Sequence, residues 1–407
     1  MRFGLIGRRL SHSYSKLIHE KLGRYRYGLI PLEADELESF VLSGDWAGLN
    51  VTIPYKQDVI PLCDELSDRA RRIGSINTLV RRDDGTIFGD NTDYDGFCAM
   101  ADEIGVDFAD KKVLILGSGG TSLTVQAVVA DRGGQSVVVS RSGENHYGNL
   151  HLHSDADIIV NATPVGMFPD TDARPVDLAG FPACRAVLDV IYNPFYSRLI
   201  LQARKLGIAC NGGLTMLVAQ AIRAAELFAG IPVPDGLIRG IREDLMSDLF
   251  NIVIIGMPGC GKTTVGKQLA AEMGLDFADT DEAVEQAAGM SVPDIFDYLG
   301  EAEFRQMEAE QAQRLGKDHK LVIATGGGII KDPLNYERLK QNGFIVLLKR
   351  DLRLLSIKGR PLAKDRKEVM QLYRERMHLY EDFADIRISA NCPIDEVVAA
   401  IRERIGR

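Results

Sequence analysis

Cysteine is sparse in this chain, and it is scattered. The six residues at 63, 98, 184, 210, 260 and 392 form no C-x-x-C pair and no metal-ligand spacing among 407 residues. Such thiols argue against a disulfide framework and predict a reducing cytosol. An excess of basic charge is missing too. The formal net charge of −9 speaks against nucleic acid or an anionic membrane as main partner, yet it leaves room for small anions held locally by Arg and Lys. No apolar run approaches the length of a membrane span, and the chain opens directly on strand-like Arg2-Phe-Gly-Leu-Ile6, so neither a spanning segment nor a signal peptide is expected. Gly/Ser-rich and Pro-rich tethers, internal repeats and low-complexity stretches are also absent. A soluble, cytoplasmic protein acting on small molecules is expected; no oligomeric state is predicted.

What is present is ordinary globular composition, 45% hydrophobic and 26% charged, over a length that calls for two or three domains. Apolar strand-like runs alternate with amphipathic helical stretches throughout, which predicts α/β architecture with parallel sheets. Two glycine-rich turns stand out. Gly256-Met-Pro-Gly259-Cys260-Gly261-Lys262-Thr263 follows the buried run Asn251-Ile-Val-Ile-Ile255 and matches G-x-x-x-x-G-K-[ST], a loop that cradles phosphates. Gly117-Ser118-Gly119-Gly120 follows Val113-Leu-Ile-Leu116 and precedes a helix predicted over 121–132. This second turn suits a dinucleotide pyrophosphate at a helix N-terminus. Further strands are read at Ser136–Val139, Asp157–Val160 and Ala186–Val190, which complete a Rossmann-like unit. The strand ending at 139 is followed by Ser140-Arg141-Ser142. An Arg there suits a 2′-phosphate and so favours NADP over NAD; its plain alternative is a solvated strand end.

Polar motifs punctuate the first 95 residues. Ser13 and Ser15 lie two apart, on one side of an extended chain by period two. Asn50-Val-Thr52-Ile-Pro54-Tyr-Lys56, Asn77-Thr78 and Asn91-Thr92-Asp93 follow. Each alone has a bland reading as a cap, a solvated lysine or, for His12 and His19, a packed ring. Together with Asn161-Ala-Thr163-Pro-Val-Gly166-Met167, Tyr192-Asn193-Pro194 and Gly213-Leu-Thr-Met216-Leu-Val-Ala-Gln220, they resemble shikimate dehydrogenase over about 1–245. The resemblance implies that Ser13, Ser15, Thr52, Asn77, Asp93, Tyr192 and Gln220 bind shikimate, with Lys56 and Asp93 as the catalytic pair. It also implies that Asp68, Gly117, Ser118, Gly119, Gly120, Thr121, Ser140, Arg141, Ser142, Val190 and Gly213 line NADP. The chain departs from the family at Arg9 and Lys16, where proline is usual. It departs again at Glu144, where a second basic residue is expected; a carboxylate there weakens preference for a 2′-phosphate.

Beyond the phosphate loop, Asp279-Thr-Asp281 follows a strand-like segment, and period two turns both carboxylates the same way. Arg305 and Glu308 fall on one helix face, with a surface ion pair as the alternative reading. Gly326-Gly327-Gly328 follows the strand Leu321–Ala324, where missing side chains let a substrate approach the backbone. With Arg360-Pro-Leu362 and Arg376-Met-His-Leu-Tyr380, these motifs resemble shikimate kinase over 249–407. The resemblance implies that Gly259, Cys260, Gly261, Lys262, Thr263, Thr264, Arg353 and Arg360 bind ATP. Thr263 and Asp279 would hold Mg2+, with Lys262 and Asp279 catalytic, and Asp281, Arg305, Gly327 and Arg376 would bind shikimate.

The expected organisation is a two-lobed α/β dehydrogenase over 1–247, followed by a P-loop kinase over 248–407 with a parallel sheet flanked by helices. The dehydrogenase would comprise a substrate lobe at about 1–95 plus 213–247 and a Rossmann-like NADP lobe at about 96–212. The expected function joins NADPH-dependent reduction of 3-dehydroshikimate to ATP-dependent phosphorylation of shikimate. The alternatives are an NAD-dependent quinate/shikimate dehydrogenase fused to another small-metabolite kinase, or a fusion in which one half is regulatory.

Overall fold

The structure, a computed structural model, describes residues 2–406 apart from Ser11, His12, Arg24, Ile231, Asp235 and 356–365, and without the side chain of Arg366. The chain divides into two compact units, Met1–Met246 and Ser247–Arg407.

The first unit carries two sheets. One has six strands in the order Tyr27–Pro31, Arg2–Gly7, Trp46–Val51, Thr78–Arg81, Ile87–Asp90 and Glu65–Leu66. Its first three strands are parallel, and Thr78–Arg81 runs antiparallel to both neighbours. The other sheet is wholly parallel, in the order Ala209–Gly212, Ala186–Asp189, Ile158–Asn161, Lys112–Leu116 and Gln135–Val139. Helices cover both of its faces, which is why Val113–Leu116 is apolar at every position. Val113 and Ile115 enter one core, and Leu114 and Leu116 enter the other. The crossovers from Lys112–Leu116 and Ile158–Asn161 leave in opposite directions, opening a crevice at their carboxyl ends.

The second unit has one parallel sheet in the order Asp276–Asp279, Leu321–Ala324, Asn251–Gly256, Gly343–Lys349 and Ile386–Ser389. Its central strand, Asn251–Gly256, is buried at all six positions, as a strand covered on both faces must be.

Two local expectations give way. Ser13 to Ser15 is not an extended chain: Tyr14 is αR and the helix Ser15–Lys21 begins immediately after it. The sequence reads as a helix near 235–246 separated from the strand at 251 by Ser247, Asp248 and their neighbours, but the helix runs from Leu237 to Leu249, so only Phe250 precedes the strand at Asn251. Ser247 and Asp248 favour caps, but Leu245 and Leu249 are buried four residues apart, and that apolar stripe carries the helix past them.

Candidate active sites

In the first unit Lys56, Asn77, Asp93 and Gln220 come together. Lys56 Nζ donates to Asp93 Oδ2 at 2.5 Å. Asn77 Nδ2 donates to Asp93 Oδ1 at 2.9 Å and reaches Gln220 Oε1 at 3.3 Å. Gln220 lies in the helix Leu214–Ala229, so residues 143 positions apart meet here. Asp93 opens the helix Asp93–Glu103, whose first turn is held by Asn91 Oδ1 accepting from the Tyr94 N–H at 3.1 Å. Ser15 is buried and its N–H donates to Ser13 Oγ at 3.2 Å; Ser13 also bonds Tyr192, whose ring lies 5.3 Å from that of Tyr14. Burial pushes the Tyr192 phenol up. Thr52 follows directly on the strand Trp46–Val51, its N–H donating to the Ile6 carbonyl. Lys56 thus sets an ammonium against a carboxylate backed by the amides of Asn77 and Gln220, while Ser13, Ser15 and Tyr192 form a set of contacts of their own.

The glycine turn lies beside this cluster. Gly117 has φ +105°, and a Cβ there would come within 3.0 Å of the Ala162 carbonyl and of Thr163, so only glycine closes the two strand ends together. Gly119 faces open space, and Gly120 begins the helix Gly120–Asp131 within reach of Lys56 and Ser75. A helix N-terminus fronted by open space fits a pyrophosphate. Ser118, Arg141 and Ser142 are exposed, Thr121 and Ser140 half-buried, and Gly213 packs against Val190. Asp68 stands fully exposed and pairs with Arg71 at 3.4 Å; it is not drawn into the cluster around Lys56.

In the second unit the phosphate loop joins the central strand to the helix Lys262–Met273, with Gly261 at φ +102° just before the helix. Lys262 Nζ donates to the carbonyls of Gly256 and Met257 at 2.9 and 3.2 Å. Thr263 Oγ1 donates to Asp279 Oδ2 at 2.8 Å, and this neighbouring hydroxyl and carboxylate are the hard oxygen donors that suit Mg2+. Cys260 is buried and Thr264 exposed.

Asp279 and Asp281 come together for a reason the sequence pattern misread. The strand ends at Asp279, which caps the helix Thr280–Ala288 by accepting the Asp281 N–H at 3.0 Å. Helix capping, not strand period, places the second carboxylate. Burial first, and then the Asp279 charge, push Asp281 up to about 6. Arg305 donates to buried Glu308 at 2.6 Å, and burial pushes Glu308 up. The triple glycine also has another purpose than backbone access. A Cβ on Gly326 would meet Asp281 Oδ1 at 2.4 Å and Glu308 Oε1 at 2.6 Å, and one on Gly328 would meet the Arg305 guanidinium at 2.1 Å. The missing side chains make room for the protein's own charged groups. The Gly327 carbonyl accepts from Arg376 at 2.9 Å and from Tyr380 at 2.5 Å. Arg353 is exposed and paired with Asp351 at 3.0 Å, and Arg360 lies outside the described residues.

Sequence reasoning quoted Glu308 and Tyr380 within their motifs without giving either a role, and missed Asn50 as part of the Asn77 network. The signal was there: Tyr380 lies four residues after Arg376, on the same helix face.

The comparisons with known proteins bear on both units. The shikimate kinase family model matches residues 258–406, and the model of the shikimate dehydrogenase substrate binding domain matches residues 5–79. A shikimate dehydrogenase (NADP(+)) of Clostridium perfringens is 33% identical over 265 residues, covering 60% of this chain and 97% of the relative. The chain belongs to the shikimate dehydrogenase family. A second, C-terminal part of the same chain is a shikimate kinase domain, so the protein is a bifunctional shikimate-pathway enzyme. Among solved structures, a chorismate mutase/shikimate 5-dehydrogenase fusion protein from Clostridium acetobutylicum is 34% identical with a TM-score of 0.57, covering 60% of this chain and 97% of that one. A quinate dehydrogenase from Corynebacterium glutamicum in complex with NAD is 30% identical with a TM-score of 0.53, covering 61% and 99%. No described helix of this bifunctional enzyme is long and apolar enough to cross a membrane.

Proposed function

We propose that the first unit reduces 3-dehydroshikimate to shikimate with NADPH, and that the second phosphorylates shikimate to shikimate 3-phosphate with MgATP. The observation that carries the first step is the Lys56–Asp93 contact with Asn77 behind it. The nicotinamide supplies the hydride. As negative charge gathers on the ketone oxygen, Lys56 gives it a proton, and Asp93 holds the ammonium in place for that transfer and for its reversal. Ser13, Ser15, Thr52, Asn77, Tyr192 and Gln220 orient the ring. The glycine turn at 117–120, with Thr121, Val190 and Gly213, receives the cofactor, and Ser140, Arg141 and Ser142 receive its 2′-phosphate. Asp68 flanks it.

In the second unit the loop from Gly259 to Thr264 cradles ATP, and Thr263 with Asp279 offers oxygen ligands to Mg2+, which neutralises phosphate charge when bound. Asp281 takes ring hydroxyls, while Arg305, Gly327 and Arg376 bind the carboxylate end and ring. Little covalent chemistry is asked of the protein in phosphoryl transfer; positioning and charge neutralisation dominate.

Selective inactivation tests the assignment. Lys56→Ala should lower reduction of 3-dehydroshikimate by about 10²- to 10⁴-fold while leaving shikimate phosphorylation near normal, and Lys262→Ala should do the reverse. Full dehydrogenase turnover in Lys56→Ala removes that lysine from the mechanism.

A second reading, an NAD-dependent quinate/shikimate dehydrogenase, is favoured by one residue, Glu144 in the loop after Arg141. Activity with NADPH and with NADH decides it. We expect NADPH to be preferred by a narrow margin that Glu144→Arg widens; a preference for NADH overturns the reading of Arg141.

A further inference from the structure

Behind the Lys56–Asp93 pair lies a chain of buried hydrogen bonds that the proposed function does not use. Tyr27 sits on the outer strand of the six-stranded sheet and Asn50 on the strand Trp46–Val51; both are buried. Tyr27 OH and Asn50 Oδ1 are 2.7 Å apart. Asn50 Nδ2 reaches the Asn77 carbonyl at 3.3 Å and Thr78 Oγ1 at 3.2 Å. Thr78 Oγ1 in turn lies 3.2 Å from Asn77 Oδ1 and 3.0 Å from Thr92 Oγ1.

The direction of each bond follows from groups that have only one role. A carbonyl can only accept, so the Asn77 carbonyl fixes Asn50 Nδ2 toward it. That turns Asn50 Oδ1 to the phenol, and Tyr27 must donate. Burial pushes the Tyr27 phenol well up, so it keeps the proton this requires. At the far end, the Thr92 N–H can only donate, and it meets Asn77 Oδ1 at 2.7 Å. The Asn77 amide is therefore turned with Nδ2 toward Asp93 Oδ1, leaving Oδ2 for Lys56.

We propose that Tyr27 and Asn50 are positioning residues for reduction: the Tyr27–Asn50–Thr78 chain delivers the Thr78 hydroxyl to Asn77 Oδ1 and, together with the Thr92 N–H on the same oxygen, holds the Asn77 amide in its orientation and through it the placement of Asp93 against Lys56. Neither residue is expected to touch substrate or cofactor. The inference rests on the reading of Lys56 and Asp93 as the catalytic pair. Removing the phenol hydroxyl takes from buried Asn50 Oδ1 its donor at 2.7 Å, leaves only the His19 ring beside the amide and frees Asn50 to turn, a cost borne by the whole network.

The test is steady-state kinetics of the full chain carrying Tyr27→Phe, with Tyr25→Phe and Lys56→Ala as companions. Tyr25 belongs to the same aromatic cluster and bonds His19 Nδ1 at 2.8 Å, off the chain to Asp93. Tyr27→Phe should lower kcat for 3-dehydroshikimate about tenfold with KM within about twofold, and Tyr25→Phe should leave both near the parent. The thermal midpoint of the dehydrogenase unit reports its folding in every variant, and kinase activity reports only the second unit. Equal loss in both tyrosine variants, or a Tyr27→Phe loss confined to KM, makes the cluster a packing element and overturns the inference. An unchanged kcat in Tyr27→Phe overturns it too. If Asn50→Asp, which removes the amide donor, folds and keeps full kcat, the chain is likewise without function. Lys56→Ala separates the two levels. Retained turnover there sinks the catalytic pair itself, whereas lost turnover beside an unaffected Tyr27→Phe sinks only the positioning chain.

Discussion

Single residues show how chemistry and packing share the same positions. Gly328 is one, because its absent Cβ leaves space for Arg305. Gly328→Ala should displace the guanidinium and raise the KM for shikimate in the kinase reaction by at least about tenfold, while reduction of 3-dehydroshikimate stays unchanged; an unaltered KM would show that Arg305 does not serve the substrate. His19 is another. It is fully buried and stacked on Tyr27 at 3.9 Å, and burial pushes its imidazole down to about 3. Tyr25 and Tyr27 are the titratable rings that face it, and both are phenols. The unfolded chain therefore binds a proton that the folded chain refuses between the ordinary value of 6.5 and about 3. Stability tied to His19 is complete above pH 6.5 and falls as pH drops, by up to about 1.4 kcal/mol per pH unit. His19→Gln should flatten that fall in urea melts of the dehydrogenase unit between pH 7 and 5; parallel slopes for parent and variant contradict it. The histidine was legible as a packing residue from sequence. The pairing of Gly326 and Gly328 with Asp281, Glu308 and Arg305 was not, because a missing Cβ states that space is needed but not what fills it.

At the level of elements, the motif Asn91-Thr92-Asp93 explains itself as a junction. Asn91 is buried; it accepts from the Tyr94 N–H, and its amide donates to the Ser75 carbonyl at 2.8 Å and to Thr124 Oγ1 at 3.0 Å. One side chain thus starts the helix that carries Asp93 and ties it to the helix that follows the glycine turn. Asn91→Ala should cost about 1–3 kcal/mol of stability, since it strands buried groups, and a chemical melt that leaves the dehydrogenase transition in place argues against this junction. Strand and helix positions were readable wherever an apolar run met a glycine turn, as at Val113–Leu116 and Asn251–Ile255. Boundaries failed where local chemistry and burial disagreed. Asp279-Thr-Asp281 reads as a continued strand by period, yet Asp279 is a capping residue and a helix begins. Ser247-Asp248 reads as a break, yet the buried pair Leu245 and Leu249 carries the helix through.

For the whole molecule, the division between the two units, at Met246 and Ser247, falls along the chain within the helix Leu237–Leu249, whose last residues belong to the second unit. The Leu249 carbonyl accepts from the Lys320 N–H at 3.2 Å, so that final turn is part of the second unit's hydrogen bonding. The first unit holds two sheets and the second one, and each unit has its own cores and candidate site residues. Residues 1–247 and 248–407 expressed apart should each keep their own activity, measured separately; loss of either on separation would mean that one unit needs the other to fold. Covalent linkage does not require that shikimate be handed over internally, and free shikimate should be detectable during turnover. The most direct measurement of the central claim gives the full chain 3-dehydroshikimate, NADPH and MgATP and identifies the products by mass. The parent chain should yield shikimate 3-phosphate. Lys262→Ala should stop at shikimate, and an added separate shikimate kinase should restore the phosphate. Undiminished shikimate 3-phosphate from Lys262→Ala, or no shikimate from the parent chain, would contradict the account.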